Sequence, residues 1–155
     1  MMTLGDDTQR CRIRVAGTVQ GVGFRPFIWS LAQELKLTGF VGNDSHGVVV
    51  AVEGGIDAIE CLIQRTTTEA PTLAVVESVT HEVIKCIGSK GFVIQKSKKV
   101  GASTALISRD VATCDACLAD IADPSNRRFR YPFTHCPDCG PRLTVVRGIP
   151  YDRAI

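Results

Sequence analysis

Two groups of residues in this 155-residue chain have the types and spacing to do chemistry. The first is Gln20-Gly21-Val22-Gly23-Phe24-Arg25. Gly17, Gly21 and Gly23 allow φ > 0 and let successive N–H groups face one point, the geometry that cradles phosphate when a helix N-terminus follows. Arg25 stands where that helix begins, and its planar guanidinium adds a two-pronged grip on phosphate oxygens that lysine does not reproduce. Glycine spacing alone also fits a tight strand-to-helix turn that binds nothing. The second group is Cys114 and Cys117 with Cys136 and Cys139, two C-x2-C pairs separated by eighteen residues and followed by Gly140. Two knuckles that each supply two thiolates form the pattern of a tetrahedral zinc site. Four thiolates leave no open position for water or substrate, so the zinc would be structural. His135 adjoins Cys136 and could replace a ligand, but four cysteines make the simpler set.

The elements that must position these groups follow from periodicity. Cys11, Ile13, Val15 and Val19 point one way while Arg10, Arg12, Arg14 and Thr18 point the other, the period-two pattern of a half-buried strand. Phe24, Phe27, Ile28, Leu31 and Leu35 recur at three-and-four spacing on one helical face, with Pro26 in the first turn, where its missing N–H costs nothing. The helix ends before Gly39. Val41 leads to a turn over Asn43 to Gly47, and Val48, Val50 and Val52 alternate after it, which predicts a hairpin. Ile56, Ile59, Leu62 and Ile63 predict a second helix to about Arg65, closed by polar Thr66 to Pro71. Strands follow at Val75 to Val83 and Phe92 to Ile94. The order strand, helix, strand, strand, helix, strand, with one short extra strand, predicts an α+β ferredoxin-like sandwich: an antiparallel sheet with two helices on one face. The expected organisation is this domain over 9–97, a linker over 98–113 and a small zinc module over 114–155, in which Tyr131, Phe133, Leu143 and Val145 would pack around the metal.

Composition narrows the function classes. Apolar residues make up 45% of the chain, enough for one core and a small appendage. No apolar run approaches the roughly 18 to 20 residues of a spanning helix, and the polar start has no signal-peptide pattern, so a cytoplasmic setting is expected. There a disulfide framework is disfavoured. Cys11, Cys61 and Cys86 read as small hydrophobes rather than ligands. A net charge of +2 gives no footprint for nucleic acid. Arg127, Arg128 and Arg130 beside Phe129 and Tyr131 could form a stacking surface. However, from Cys114 onward six basic residues face five acidic ones, before two further negative charges from a zinc tetrathiolate. A solvated or docking face is the expected use of those arginines.

The string V-A-G-T-V-Q-G-V-G-F-R from Val15 to Arg25 resembles the signature of the acylphosphatases, matching at Val15, Gly17, Val19, Gln20, Gly21, Val22, Phe24 and Arg25. A second signature of that family is matched from Gly39 to Gly55, beginning G-F-V-G-N. The resemblance implies the same sandwich fold, hydrolysis of carboxyl-phosphate anhydrides, and a division of labour. Arg25 and the loop amides of Gln20, Gly21, Val22, Gly23 and Phe24 hold the phosphoryl group while Asn43 orients the attacking water. Gly42 departs from the pattern, which usually has a long, often basic, side chain there. That position would face outward, so the expected effect is on substrate preference.

The acylphosphatase-like strings, the two C-x2-C pairs, R-R-F-R-Y-P-F before the second pair and G-P-R after it together resemble the N-terminal region of hydrogenase-maturation carbamoyltransferases of the HypF type. That resemblance implies carbamoyl phosphate as substrate and, in later domains, ATP-dependent formation of a carbamoyl adenylate and transfer to a partner's C-terminal cysteine, which ultimately supplies cyanide ligands of nickel-iron hydrogenases. The sequence stops at Ile155, before any adenylating or transferase segment, so it is expected to be a fragment or truncated product capable of the hydrolytic half-reaction alone. Two other readings remain open: a free-standing acylphosphatase with an accessory zinc module, and a non-catalytic phosphate-binding scaffold that docks other domains or a partner protein.

Overall fold

A computed structural model describes residues 7–97, 111–136 and 139–140. The elements run β1 (Thr8–Thr18), α1 (Phe24–Glu34), β2 (Thr38–Asp44), β3 (Gly47–Gly55), α2 (Ile56–Thr68), β4 (Val75–Ile84), β5 (Phe92–Ile94) and α3 (Asp115–Ala122). The five strands build one sheet in the order β4-β1-β3-β2-β5. β1 pairs antiparallel with β3 and β4, and β2 pairs antiparallel with β3. β5 departs from the antiparallel expectation: it runs parallel to β2, aligning Gly39 with Phe92 and Val41 with Ile94.

The alternation along β1 sorts the two faces of the sheet. Cys11, Ile13 and Val15 are buried, and Val50 and Val52 on β3 join them. α1 lays Phe24, Ile28, Leu31 and Ala32 on the same core, and α2 adds Ile59 and Leu62. The opposite face carries Arg10, Arg12 and Arg14, each beside a carboxylate from another strand: Glu53 at 3.7 Å, Glu82 at 3.0 Å and Asp44 at 2.9 Å. Cross-strand charge pairs of this kind favour one strand register, and the exposed Arg12–Glu82 pair adds little net stability.

α2 runs three residues beyond the expected Arg65. Thr66 is fully buried, and its hydroxyl donates to the Leu62 carbonyl at 2.7 Å, so a polar residue continues the helix without leaving an unpaired group inside. Arg65 extends the turn from outside, reaching Glu69 and Glu34 at 2.8 and 2.7 Å. At the sheet's margin, Gly17 takes φ 127 in the bulge of β1, where a Cβ would lie 2.0 Å from the Val75 carbonyl oxygen. Only glycine fits there. The expected linker falls mostly on 98–110, outside the described residues. Among the described residues no helix is long and apolar enough to cross a membrane.

Candidate active site and metal centre

β1 ends at Thr18 and the chain turns through 19–23 into α1. Gly21 and Gly23 adopt φ 75 and 77, and Gly23 is the N-cap of α1. Among the described residues no side chain caps that helix start, and its first turn holds no acid. The leading N–H groups of α1 and the positive end of its dipole therefore have no carboxylate in the first turn to compete with an anion. Val19, Val22 and Phe24 are buried, anchoring the loop from below, while Arg25 is half-buried with Nη1 3.5 Å from Ser97 Oγ. Ser97 follows β5, whose continuation is fixed by donation of the Gln95 N–H to the Val41 carbonyl at 2.8 Å.

Across the loop lies the β2–β3 hairpin. Its connection is only Ser45-His46, because Asn43 pairs with Val48 and Asp44 with Gly47, so the expected five-residue turn is tighter than read from sequence. Asp44 organises the turn: its carboxylate accepts from the His46 N–H at 2.8 Å and from Arg14 Nη1 at 2.9 Å. Gly47 has φ 147 and packs so closely on β1 that a Cβ would sit 2.2 Å from the Val15 carbonyl oxygen. Asn43 is thereby held at the strand end, 2% exposed, with an Oδ1 that has no hydrogen-bond partner among the described residues. A buried amide oxygen left unpaired costs about 1–3 kcal/mol. Such an atom is disposed to accept a hydrogen bond from a water or ligand.

The second constellation lies at the start of α3, where Cys114 is the N-cap and Cys117 sits in the first turn. The Sγ atoms of Cys114, Cys117, Cys136 and Cys139 all lie within 4.8 Å of one another. Cys114 and Cys136 are 3.5 Å apart, and Cys117 and Cys139 are 3.8 Å apart. Disulfide sulfurs would be about 2.05 Å apart, whereas four thiolates at about 2.3 Å from one tetrahedral zinc would be separated by about 3.8 Å. The donor set therefore fits zinc. Burial, the largest single effect, pushes the Cys139 thiol up, but hydrogen bonds from the Cys136 backbone, the Cys114 backbone and the Cys117 and Cys136 thiols together outweigh it and bring Cys139 down to about 7. Cys117 is raised, with burial as the leading cause.

Comparison with known proteins matches residues 11–94, more than half of the chain, to the acylphosphatase family. The chain belongs to that family. Residues 113–146 match the HypF finger. Over 151 residues the chain is 46% identical to carbamoyltransferase HypF2 of Cupriavidus necator, covering 95% of this chain and 18% of that protein. It is likewise 46% identical over 72 residues to an acylphosphatase of Salinibacter ruber, of which it covers 75%. A crystal structure of full-length HypF in a phosphate- and nucleotide-bound form superposes with TM-score 0.90 at 38% identity, covering 97% of this chain and 20% of that one. The chain thus spans about a fifth of the length of the carbamoyltransferases it matches and combines their acylphosphatase domain with their finger.

Within the acylphosphatase domain, the structure puts the glycine loop and Arg25 at one helix start and Asn43 at the neighbouring hairpin tip. Gly42 lies on the sheet face away from the helices, as expected, yet it is buried: the place of its missing side chain is covered by Gln95, whose Cβ would be 3.6 Å from a Cβ on residue 42. In the finger, Tyr131 and Phe133 do not pack around the metal site. They are 54% and 66% exposed and stack edge-on against each other at 5.9 Å. Leu143 and Val145 lie outside the described residues. Arg128 is engaged by Asp120 at 2.8 Å and Arg130 lies over the Phe129 ring at 5.1 Å, so two of the three clustered arginines already have partners. Two polar residues of the acylphosphatase site were not singled out from sequence for what their side chains do. Asp44 organises the hairpin, and the Gln20 amide donates to the carbonyls of Asp44 and Gly47 at 2.7 and 3.0 Å. Both contacts depend on strand register, which motif spacing does not encode.

Proposed function

We propose that this chain hydrolyses an acyl phosphate, with carbamoyl phosphate as the natural substrate, as the opening step of carbamoyl transfer in nickel-iron hydrogenase maturation. The observation that carries the reading is the pairing of a glycine-lined helix start bearing Arg25 with a buried Asn43 whose Oδ1 lacks a partner among the described residues. The loop N–H groups of Gln20 to Phe24 and the Arg25 guanidinium hold the phosphoryl oxygens. Asn43 Oδ1 accepts a hydrogen bond from the water and so aims the water's lone pair at phosphorus. Water forms the new P–O bond as the bond from phosphorus to the acyl oxygen breaks. That oxygen leaves with the bond pair as a carboxylate, and the water's protons end on phosphate and solvent. For carbamoyl phosphate the products are carbamate and phosphate. So stable a leaving group needs no general acid, and placement plus charge stabilisation supply the rate.

The four cysteines would hold a structural zinc, which when bound supplies the cross-link that a segment without its own core requires. ATP-dependent steps and a maturation partner protein belong in this reading to the rest of a HypF-type carbamoyltransferase. The test is phosphate release from carbamoyl, acetyl and benzoyl phosphate by this chain, Arg25→Ala and Asn43→Ala. Expected is hydrolysis by the parent and loss in both variants. Unaltered hydrolysis in Arg25→Ala would sink the site, and a folded parent inert on all three substrates would favour a scaffold.

A further inference from the structure

The side chain of Gln20 is 4% exposed and aimed away from the phosphate loop to which its backbone belongs. Its Nε2 donates to the Asp44 carbonyl at 2.7 Å and to the Gly47 carbonyl at 3.0 Å. Those two residues are the last pair of the β2–β3 ladder, one on each strand. A carboxamide has two N–H hydrogens, and both are used here. The opposite amide orientation would set Oε1 against two carbonyl oxygens, so the assignment follows from the partners. No donor of this side chain is left for phosphate, and its remaining atom, Oε1, is a buried acceptor that would repel an anion.

We infer that Gln20 is a positioning residue: it fixes Asn43 relative to the phosphate loop and takes no part in binding phosphate through its side chain. Asn43 immediately precedes Asp44, so the amide grips the strand one residue from the proposed water-holding group. β1 and the turn itself add further restraints. Arg14 and the His46 N–H hold Asp44, and Gly47 abuts Val15. Gln20 therefore sets the separation between the group that holds water and the groups that hold phosphorus. In-line attack is sensitive to that distance, and a misplacement of about 1 Å costs about 10²-fold in rate. The same bond explains why both amide hydrogens stay on the hairpin. Were one of them on phosphate, the tip would lose one of its two ties to the loop.

This inference rests on the hydrolase reading, and the experiment separates the two. Steady-state phosphate release is measured for the parent, Gln20→Met, Asn43→Ala and the double variant, together with inhibition by inorganic phosphate. Expected for Gln20→Met is a kcat lower by about 10- to 100-fold, with KM and phosphate inhibition unchanged, and no further loss when it is added to Asn43→Ala. Independent losses in the double variant, or weakened phosphate inhibition in Gln20→Met, would overturn it. Side-chain amide NMR of Asn43 in the parent, Gln20→Met and the shape-conserving Gln20→Glu gives a readout that does not need turnover. The Asn43 resonances should move in both variants, and unmoved resonances count against the inference. If the parent or Asn43→Ala shows that the hydrolase reading is wrong, the NMR comparison alone decides the role of Gln20.

Discussion

From Cys11 to Phe92 the chain gathers seventeen buried apolar residues into one cluster beneath a sheet; from Val111 to Gly140 the buried side chains among the described residues are Cys117, Thr134 and Cys139. The two regions therefore reach order by different means. In the first, the hydrophobic core fixes the sheet, the sheet fixes loop and hairpin, and these in turn place Arg25 and Asn43. In the second, aromatic residues that could have made a core stay in solvent, and four sulfurs converge instead. A site in the first region can be emptied without losing its walls. In the second, the site and the fold are the same object.

The sharpest way to break this contrast is metal removal. A chelator should abolish amide protection throughout 114–140, because zinc binding provides folding energy on the order of 10 kcal/mol in such modules. Protection in β1 and β3 should be unchanged in the same hydrogen-exchange experiment, and if both regions open together the contrast fails. Next in size, Arg25→Ala should cost at least about 10²-fold in kcat/KM for an acyl phosphate while the thermal midpoint and zinc content stay put. A variant that lost zinc as well would show that the two sites are coupled. Leu62→Ala, at a fully buried position on α2, should cost about 2–5 kcal/mol of sheet-domain stability in urea unfolding with zinc stoichiometry unaltered.

Acid provides the finest comparison. Glu53 is held below the usual carboxylate range, first by the Ile87 N–H, against the opposing effect of burial, and then by the Gly88 N–H and Arg10. Its pKa is depressed on folding, so its stabilisation is complete above the unfolded value of about 4.3 and disappears as pH falls through the lower folded value. The stability difference between parent and Glu53→Gln should be constant from neutral pH to about 5 and then shrink below about 4. Zinc should be released at a higher pH than this, because its ligands must stay deprotonated. An identical acid midpoint for metal loss and for the Glu53 effect would contradict the separation of the two regions.

Much of the sheet domain was legible in the sequence because each element has one wet face and one dry face. Arg10, Arg12 and Arg14 against Cys11, Ile13 and Val15 leave only one face of β1 for the core. The parallel setting of β5 was not legible, since three residues carry no sign of their partner's direction. The end of α2 was misjudged because Thr66 looks like a helix stop until its hydroxyl finds the Leu62 carbonyl. In the finger, the cysteine spacing foretold the thiol cluster, but Tyr131 and Phe133 were expected inside because aromatics near a small module are normally core. With sulfurs at the centre, there is no volume left to fill. Gln20 lies inside a recognised motif, yet what its side chain does is decided by Asp44 and Gly47, more than twenty residues away, whose alignment only the folded hairpin supplies.

The central place of β1 has a consequence for how the chain is made. Thr8–Thr18 leaves the ribosome before any of its partners, yet both its edges are paired in the finished sheet, one by Gly47–Gly55 and the other by Val75–Ile84. Until β4 has been synthesised, the strand carrying Cys11, Ile13 and Val15 has an open edge and an apolar face, the condition in which strands join the wrong chain. Closure of the sheet waits on contacts far apart in sequence, which slows folding. Alternating arginines on the same strand keep that waiting edge charged, so the residues that sort the faces of the finished sheet also guard it while it is incomplete.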